Sequence, residues 1–133
     1  LHHRGTEATE KGLNTLTGRI IGAAMEVHRA WGPGLLESAY ETCLARELEL
    51  RMIPFDRQRP LKIAFKGVEL DCAYRMDFVV EGRVLLELKA VERIRPIHEA
   101  QILTCLRLAC LKVGLLMNFH VPALRWGIRR FML

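Results

Sequence analysis

The sequence predicts one mixed α/β (α+β) domain, with two helices ahead of a set of antiparallel strands and a third helix leading into a buried strand. Three observations predict it. Apolar residues recur at helical spacing through residues 14–51. The period shortens to two after Ile53-Pro54. Residues 112–119, "KVGLLMNF", form a nearly continuous apolar run, the pattern of a central strand covered on both faces. A chain of 133 residues suits a single core.

The opening "LHHRGTEATEKG" is polar and lacks the apolar stretch of a signal peptide. Without an initiating Met it reads as a trimmed or incomplete start. Residues 1–12 are therefore expected to be a disordered or partly ordered N-terminal segment, with the domain over 13–133. In residues 14–31, Ile20, Ala24, Val27 and Trp31 share a helical face, and Asn14, Thr15 and Thr17 are candidate caps. "GPG" at 32–34 breaks this helix. A second helix is expected over 35–51, with an apolar stripe of Leu36, Tyr40, Cys43, Leu44 and Leu48. Glu37 falls in its first turn, near the positive end of the helix dipole.

Leu61, Ile63 and Phe65 then alternate with polar residues, "KG" at 66–67 turns the chain, and Val68, Leu70 and Cys72 alternate in return. That is a β-hairpin signal. A further strand is expected over 74–80 and another over 84–90, joined at 81–83. Pro96 opens a third helix to about residue 111, lined by Ile102, Leu106, Ala109 and Cys110. The tail "LRWGIRRFML" fits either a last strand or a short helix.

Lys and Arg number 20 against 15 Asp and Glu, a net charge of +5 and a pI near 9.3. This favours an anionic partner and excludes no function class by itself. No apolar run approaches the length of a bilayer span. Cys43, Cys72, Cys105 and Cys110 show no CxxC spacing and match no iron–sulfur ligand pattern. They read as buried free thiols of a cytoplasmic protein.

The chemistry is suggested by "LLELKA" at 85–90. In a strand, Glu87 and Lys89 share one face, while Leu86, Leu88 and Ala90 share the other. A three-residue loop at 81–83 sets Asp77 opposite Glu87; a two-residue loop at 81–82 puts the two acids on opposite faces. Gly82 supports the longer loop. Two facing carboxylates repel and call for a cation. Lys89 supplies part of it, and a hard divalent ion such as Mg²⁺ or Mn²⁺ would supply the rest. Taken alone, the same residues also fit the solvated outer face of an antiparallel strand. Glu37 upstream and a Gln on the following helix weigh for a site.

Asp77, then nine residues, then Glu87-Leu88-Lys89, resembles the core motif of the PD-(D/E)XK nuclease superfamily. "GLLESAY" at 34–40 has the pattern GxxExxY. With "HRAWGPGLLESAY", "FDRQRPLKIAFKG", "YRMDFVVEG", "LELKA" and "HEAQILTCLRL", about residues 16–130 resemble the GxxExxY protein family of that superfamily. The resemblance implies a mixed central sheet with an αβββαβ core flanked by helices. It implies Mg²⁺- or Mn²⁺-dependent hydrolysis of phosphodiester bonds in nucleic acid, DNA before RNA. Asp77 and Glu87 would be metal ligands, the Leu88 carbonyl a third, and Glu37 would complete the shell directly or through water. Lys89 would orient or activate water and stabilise charge on the phosphate. Gln101 resembles the Gln of a QxxxY motif whose Tyr is replaced here by Cys105. Met76 stands where the superfamily name has Pro.

Other residues carry paired expectations. His28 either touches the site or makes a helix-end hydrogen bond. Tyr40 either braces Glu37 or packs in the core. Arg57 and Gln58 either contact phosphate or pair with a nearby acid. Arg75 either pairs with a site carboxylate or binds phosphate, and Arg95 belongs to a set of arginines that could track a nucleic-acid backbone. Trp31 and Trp126 either stack on bases or pack in a core or interface. So small a chain leaves little room for a specificity domain, so a homodimer or protein partner is a further expectation. The alternative function is a non-catalytic nucleic-acid-binding or protein-assembly module that retains the nuclease fold.

Overall fold

The computed structural model describes residues 2–133, with side chains described for residues 10–70 and 74–133. The elements in chain order are α1 (His2–Trp31), α2 (Glu37–Leu50), β1 (Phe55–Phe65), β2 (Val68–Val80), β3 (Val84–Lys89), α3 (Pro96–Ala109), β4 (Val113–Asn118), a 3₁₀ turn (Leu124–Trp126) and β5 (Ile128–Met132). From α2 to β4 the order is the expected αβββαβ. The tail holds both a short helical turn and a strand.

The five strands lie side by side in sequence order. β3 and β4 pair in parallel, with α3 as the crossover, and the other neighbours are antiparallel. Along β3, Val84, Leu86 and Leu88 face a core shared with α1 and α2. Leu85 faces a second core, with Val79, Leu116 and the α3 residues Ile102, Cys105 and Leu106. β4 is buried at every position, because both faces are covered. Fully burying side chains such as Leu86 and Leu88 contributes roughly 1.5–3 kcal/mol each. That anchors one face of β3 and fixes the direction of the other.

The turns follow their residues. Lys66 and Gly67 both take positive φ, 48° and 83°, between the paired Phe65 and Val68. This is the two-residue hairpin geometry whose twist suits the flanking strands. Residues 81–83 form the three-residue connection between the paired Val80 and Val84, with positive φ at Glu81 and Gly82.

Several expectations need correction. The stretches 68–72 and 74–80 are one strand, β2, and the irregularity is a register shift within its pairing to β1: Leu61 pairs with Tyr74 but Ile63 with Leu70, so β2 carries the extra residues. α1 begins at His2 rather than near residue 14. Trp31 and Leu36 continue the apolar stripes by spacing, yet they are 57% and 76% exposed, since they flank the loop between the helices. Trp126 is 72% exposed, so neither tryptophan is a core residue. Cys105 is buried, Cys43 half-buried and Cys110 exposed as the left-handed cap of α3; Cys72 lies outside the described side chains. Among the described residues, no helix is long and apolar enough to cross a membrane.

Candidate active site

The β2–β3 ladder pairs Phe78 with Leu86, Val79 with Leu85 and Val80 with Val84. Continued by one step, this register sets Asp77 opposite Glu87. The backbone ladder stops just short of that step. There the Asp77 carboxylate takes over as acceptor: its Oδ2 receives the Leu88 N–H at 2.8 Å. Asp77, Glu87 and Lys89 open into a single cleft of about 180 Å³, with Glu37 from the start of α2 and Gln101 from α3. Arg75, His98 and Cys105 also line it.

Burial raises all three carboxyls of the cleft. It pushes Glu87 up to about 8, with the Asp77 charge adding to it and Lys89 opposing it. It raises Asp77 against the lowering effect of the Leu88 N–H, with Glu41 adding to the rise. It raises Glu37, which Lys89 lowers in turn. One oxygen, Glu87 Oε1, is buried without a hydrogen-bond partner among the described residues. An orphaned carboxylate oxygen beside a second acid is costly unless a cation or a proton is supplied.

β1 brings further residues to the edge of the site. Arg57 Nε donates to Glu41 Oε2 at 2.7 Å, and its guanidinium also reaches Thr42. Its charge is therefore engaged by an acid, the second of the two roles expected for it. Gln58 Nε2 donates to Glu41 Oε1 at 2.6 Å and to Asp77 Oδ1 at 3.2 Å. Sequence reasoning misses Glu41. It lies four residues after Glu37, so both reach one side of α2, a spacing that sequence alone reads as a solvated helix face.

Three buried groups hold the frame around the cleft. The Tyr40 hydroxyl donates to the Gly32 carbonyl and accepts the Leu35 N–H, and its ring stacks on Phe119 at 4.6 Å. Tyr40 is thus a core residue that fixes the loop leading to Glu37. The His28 ring bonds the Val121 carbonyl at 2.9 Å and sits outside the cleft lining. The Asn118 amide accepts the Val91 N–H and donates to the Val91 carbonyl, while the Phe119 N–H donates to the Lys89 carbonyl. These bonds tie the end of β3 to β4.

On α3, His98, Gln101 and Cys105 fall on one helical face toward the cleft. His98 Nδ1 accepts the Arg95 N–H at 3.0 Å. Its ring is held below its ordinary value by burial and by the nearby Lys89 and Arg95 charges. Cys105 is pushed up to about 11 by burial and by Glu87 and Asp77. Arg75 lines the cleft and also donates to the Gln58 carbonyl at 3.4 Å, whereas Arg95 caps α3 outside it.

Among the described residues, no three Asp, Glu, His or Cys side chains group closely enough to hold a metal ion on their own. What does converge is the hard-oxygen pair Asp77 and Glu87, one of whose oxygens lacks a partner among the described residues, with Glu37 across the same cleft. That donor chemistry fits Mg²⁺ or Mn²⁺, which keep several waters and need only one or two protein carboxylates. A family model described as the PD-(D/E)XK nuclease superfamily matches residues 14–131. No curated protein and no solved structure gives a significant match.

Proposed function

Because the chain belongs to the PD-(D/E)XK nuclease superfamily, we propose that it is a metal-dependent nuclease of the cytoplasm, hydrolysing phosphodiester bonds in nucleic acid, DNA before RNA. The observation that carries the reading is Glu87 Oε1, buried without a partner among the described residues, in the cleft it shares with Asp77 and Lys89.

Asp77 and Glu87 would hold Mg²⁺ or Mn²⁺, with the Leu88 carbonyl and Glu37 completing the shell. Bound there, the ion supplies Lewis acidity at the phosphate and lowers the pKa of a water. The chain's own residues do the rest. Lys89, on the same face as Glu87, donates to a phosphate oxygen and orients the attacking water. Gln101 offers a neutral amide from α3 to the same water or phosphate. Cys105 keeps its proton at neutral pH, so a thiolate is no rival nucleophile. Arg75, in the cleft lining, is placed to meet a phosphate of the strand.

The test incubates linear, circular and single-stranded DNA, and RNA, with Mg²⁺ or Mn²⁺, comparing wild type with Asp77→Asn. Cleavage by wild type alone supports the reading, and equal background from both proteins overturns it. One observation favours a second reading. Both Asp77 oxygens are already engaged by the chain's own donors. A non-catalytic nucleic-acid-binding module would use the cleft without cutting, and metal-independent binding with no cleavage would establish it.

A further inference from the structure

We infer that Gln58 is a positioning residue that locks the Asp77 carboxylate to α2 through Glu41. This deepens the metal site proposed above and rests on it for its consequence, though not for its geometry. β1 pairs Arg57 with Phe78 and Arg59 with Met76, skipping Gln58 and Asp77, which stand opposite each other. Gln58 takes φ 54°, a left-handed conformation that a non-glycine residue seldom adopts within a strand. Such a residue persists where its surroundings hold it.

Its surroundings here are two carboxylates. The carboxamide nitrogen has two hydrogens, and it bonds Glu41 Oε1 at 2.6 Å and Asp77 Oδ1 at 3.2 Å. Glu41, with a side chain only 13% exposed, is fixed from its other oxygen by Arg57. Asp77 is fixed from its other oxygen by the Leu88 N–H. The chain of contacts runs Arg57, Glu41, Gln58, Asp77, Leu88, linking α2, β1, β2 and β3. Each Asp77 oxygen keeps a lone pair free, but the plane of the group is set. A neutral donor is the one kind of group that suits this place. Gln58→Glu would add a third negative charge, and Gln58→Lys would draw a cation toward the cleft and compete with the metal. Contact with substrate phosphate would need this same amide, which is already committed.

Gln58→Gly tests the assignment, since glycine accepts the left-handed backbone and removes only the side chain. Three measurements are made: the melting temperature, Mn²⁺ affinity by titration calorimetry, and amide hydrogen exchange in EDTA. The expected result is a melting temperature lower by no more than a few degrees, since relief of the left-handed backbone offsets part of the lost hydrogen bonds. Mn²⁺ binding weakens by about 10–100-fold, the usual effect of losing a residue that orients a ligand. The Leu88 amide exchanges roughly five- to tenfold faster as Asp77 swings free, while the Leu86 amide does not change. Unchanged Leu88 exchange overturns the inference, as does faster exchange at Leu86 and Leu88 alike, which marks a general structural role. A raised KM for nucleic acid with Mn²⁺ affinity and exchange intact assigns Gln58 to substrate instead. A wild type that binds Mn²⁺ and cuts nothing refutes the nuclease reading but leaves this assignment standing. If wild type binds no Mn²⁺, the exchange measurement decides alone.

Discussion

The Asp77 carboxylate completes the β2–β3 pairing where the backbone stops: Oδ2 accepts the Leu88 N–H at 2.8 Å, beyond the last ladder pair, Phe78 with Leu86. The side chain proposed to bind metal is therefore also a structural acceptor. Asp77→Ala leaves a partly buried N–H without its partner, at a cost of about 1–3 kcal/mol. Asp77→Asn can still accept the Leu88 N–H, but its amide nitrogen then faces the Gln58 donor, so it should lose less than the Ala variant without matching wild type. Both should abolish cleavage. Urea melts of the two variants beside wild type check the stability half. An Asn variant as unstable as the Ala variant would show that the Leu88 hydrogen bond is not what Asp77 gives the fold.

Lys89 sits two residues beyond Glu87 and faces the same cleft, its charge reaching Glu37, Asp77 and Glu87 alike. Removing a preorganised donor to developing charge typically costs ~10²–10³ in rate. Lys89→Ala should thus lower kcat by about that factor, with Kd for uncleaved DNA changed no more than severalfold. Single-turnover cleavage and equilibrium binding on one oligonucleotide separate the two. A large loss of affinity with kcat intact would move Lys89 from chemistry to binding.

Much of the geometry of this candidate site could be read from residue order. Parity within "LLELKA", with Gly82 available for a three-residue loop, puts Asp77 across from Glu87, and the pairing of Val80 with Val84 agrees with that loop. The apolar run of β4 signals a strand buried on both faces, and it is. Other features leave no local trace. A left-handed Gln58 has no sequence signature, because turns are signalled by Gly, Asn and Asp. Glu41 looks like a solvated helix charge until β1 brings Arg57 and Gln58 to it. Trp31 obeys the helical spacing of Ile20, Ala24 and Val27, but periodicity cannot show that the last residue of α1 stays largely uncovered. Long-range pairing decided each of these, and composition does not encode it.

Glu87 gives a stability signature free of any substrate. Its carboxyl is raised from the ordinary 4.5 to about 8, so the folded protein holds a proton that the unfolded chain releases at lower pH. In metal-free buffer the folded state then binds more protons between those values, and stability falls as pH rises through that window. The contribution is full below about 4.5 and levels off above about 8. Glu87→Gln removes this fall, leaving the smaller, like-signed contributions of the raised Asp77 and Glu37. The variant should overtake wild type at about pH 8.5 in EDTA, at most by about 1.4 kcal/mol for each unit of the shift. At about pH 5 the two should differ little. Mn²⁺ should reverse the order at the higher pH, raising the wild-type Tm and not the variant's. Parallel melting curves at both pH values would refute the assignment.

The frame that carries Lys89 can be tested from the far side of β4. Asn118, 2% exposed, clamps Val91 with its side chain, and its backbone N–H donates to the Gly127 carbonyl at 2.8 Å. A Cβ on Gly127 would lie 2.1 Å from the Asn118 carbonyl oxygen, with Val121 Cγ2 at 3.1 Å. Backbone cannot give way as a flexible side chain can, so Gly127→Ala must push β5 and β4 apart. Overpacking of this kind costs on the order of 3 kcal/mol. The loss should appear as a Tm lower by roughly 10 °C in a chain of this size. Gly114, whose Cβ would meet only the ends of Ile102 and Leu106 at 3.1 Å, offers the comparison. Gly114→Ala should cost less, since those side chains can shift. If activity falls with stability only in Gly127→Ala, the clamp on Val91 is what holds Lys89 in register; equal Tm values for the two variants would remove that link.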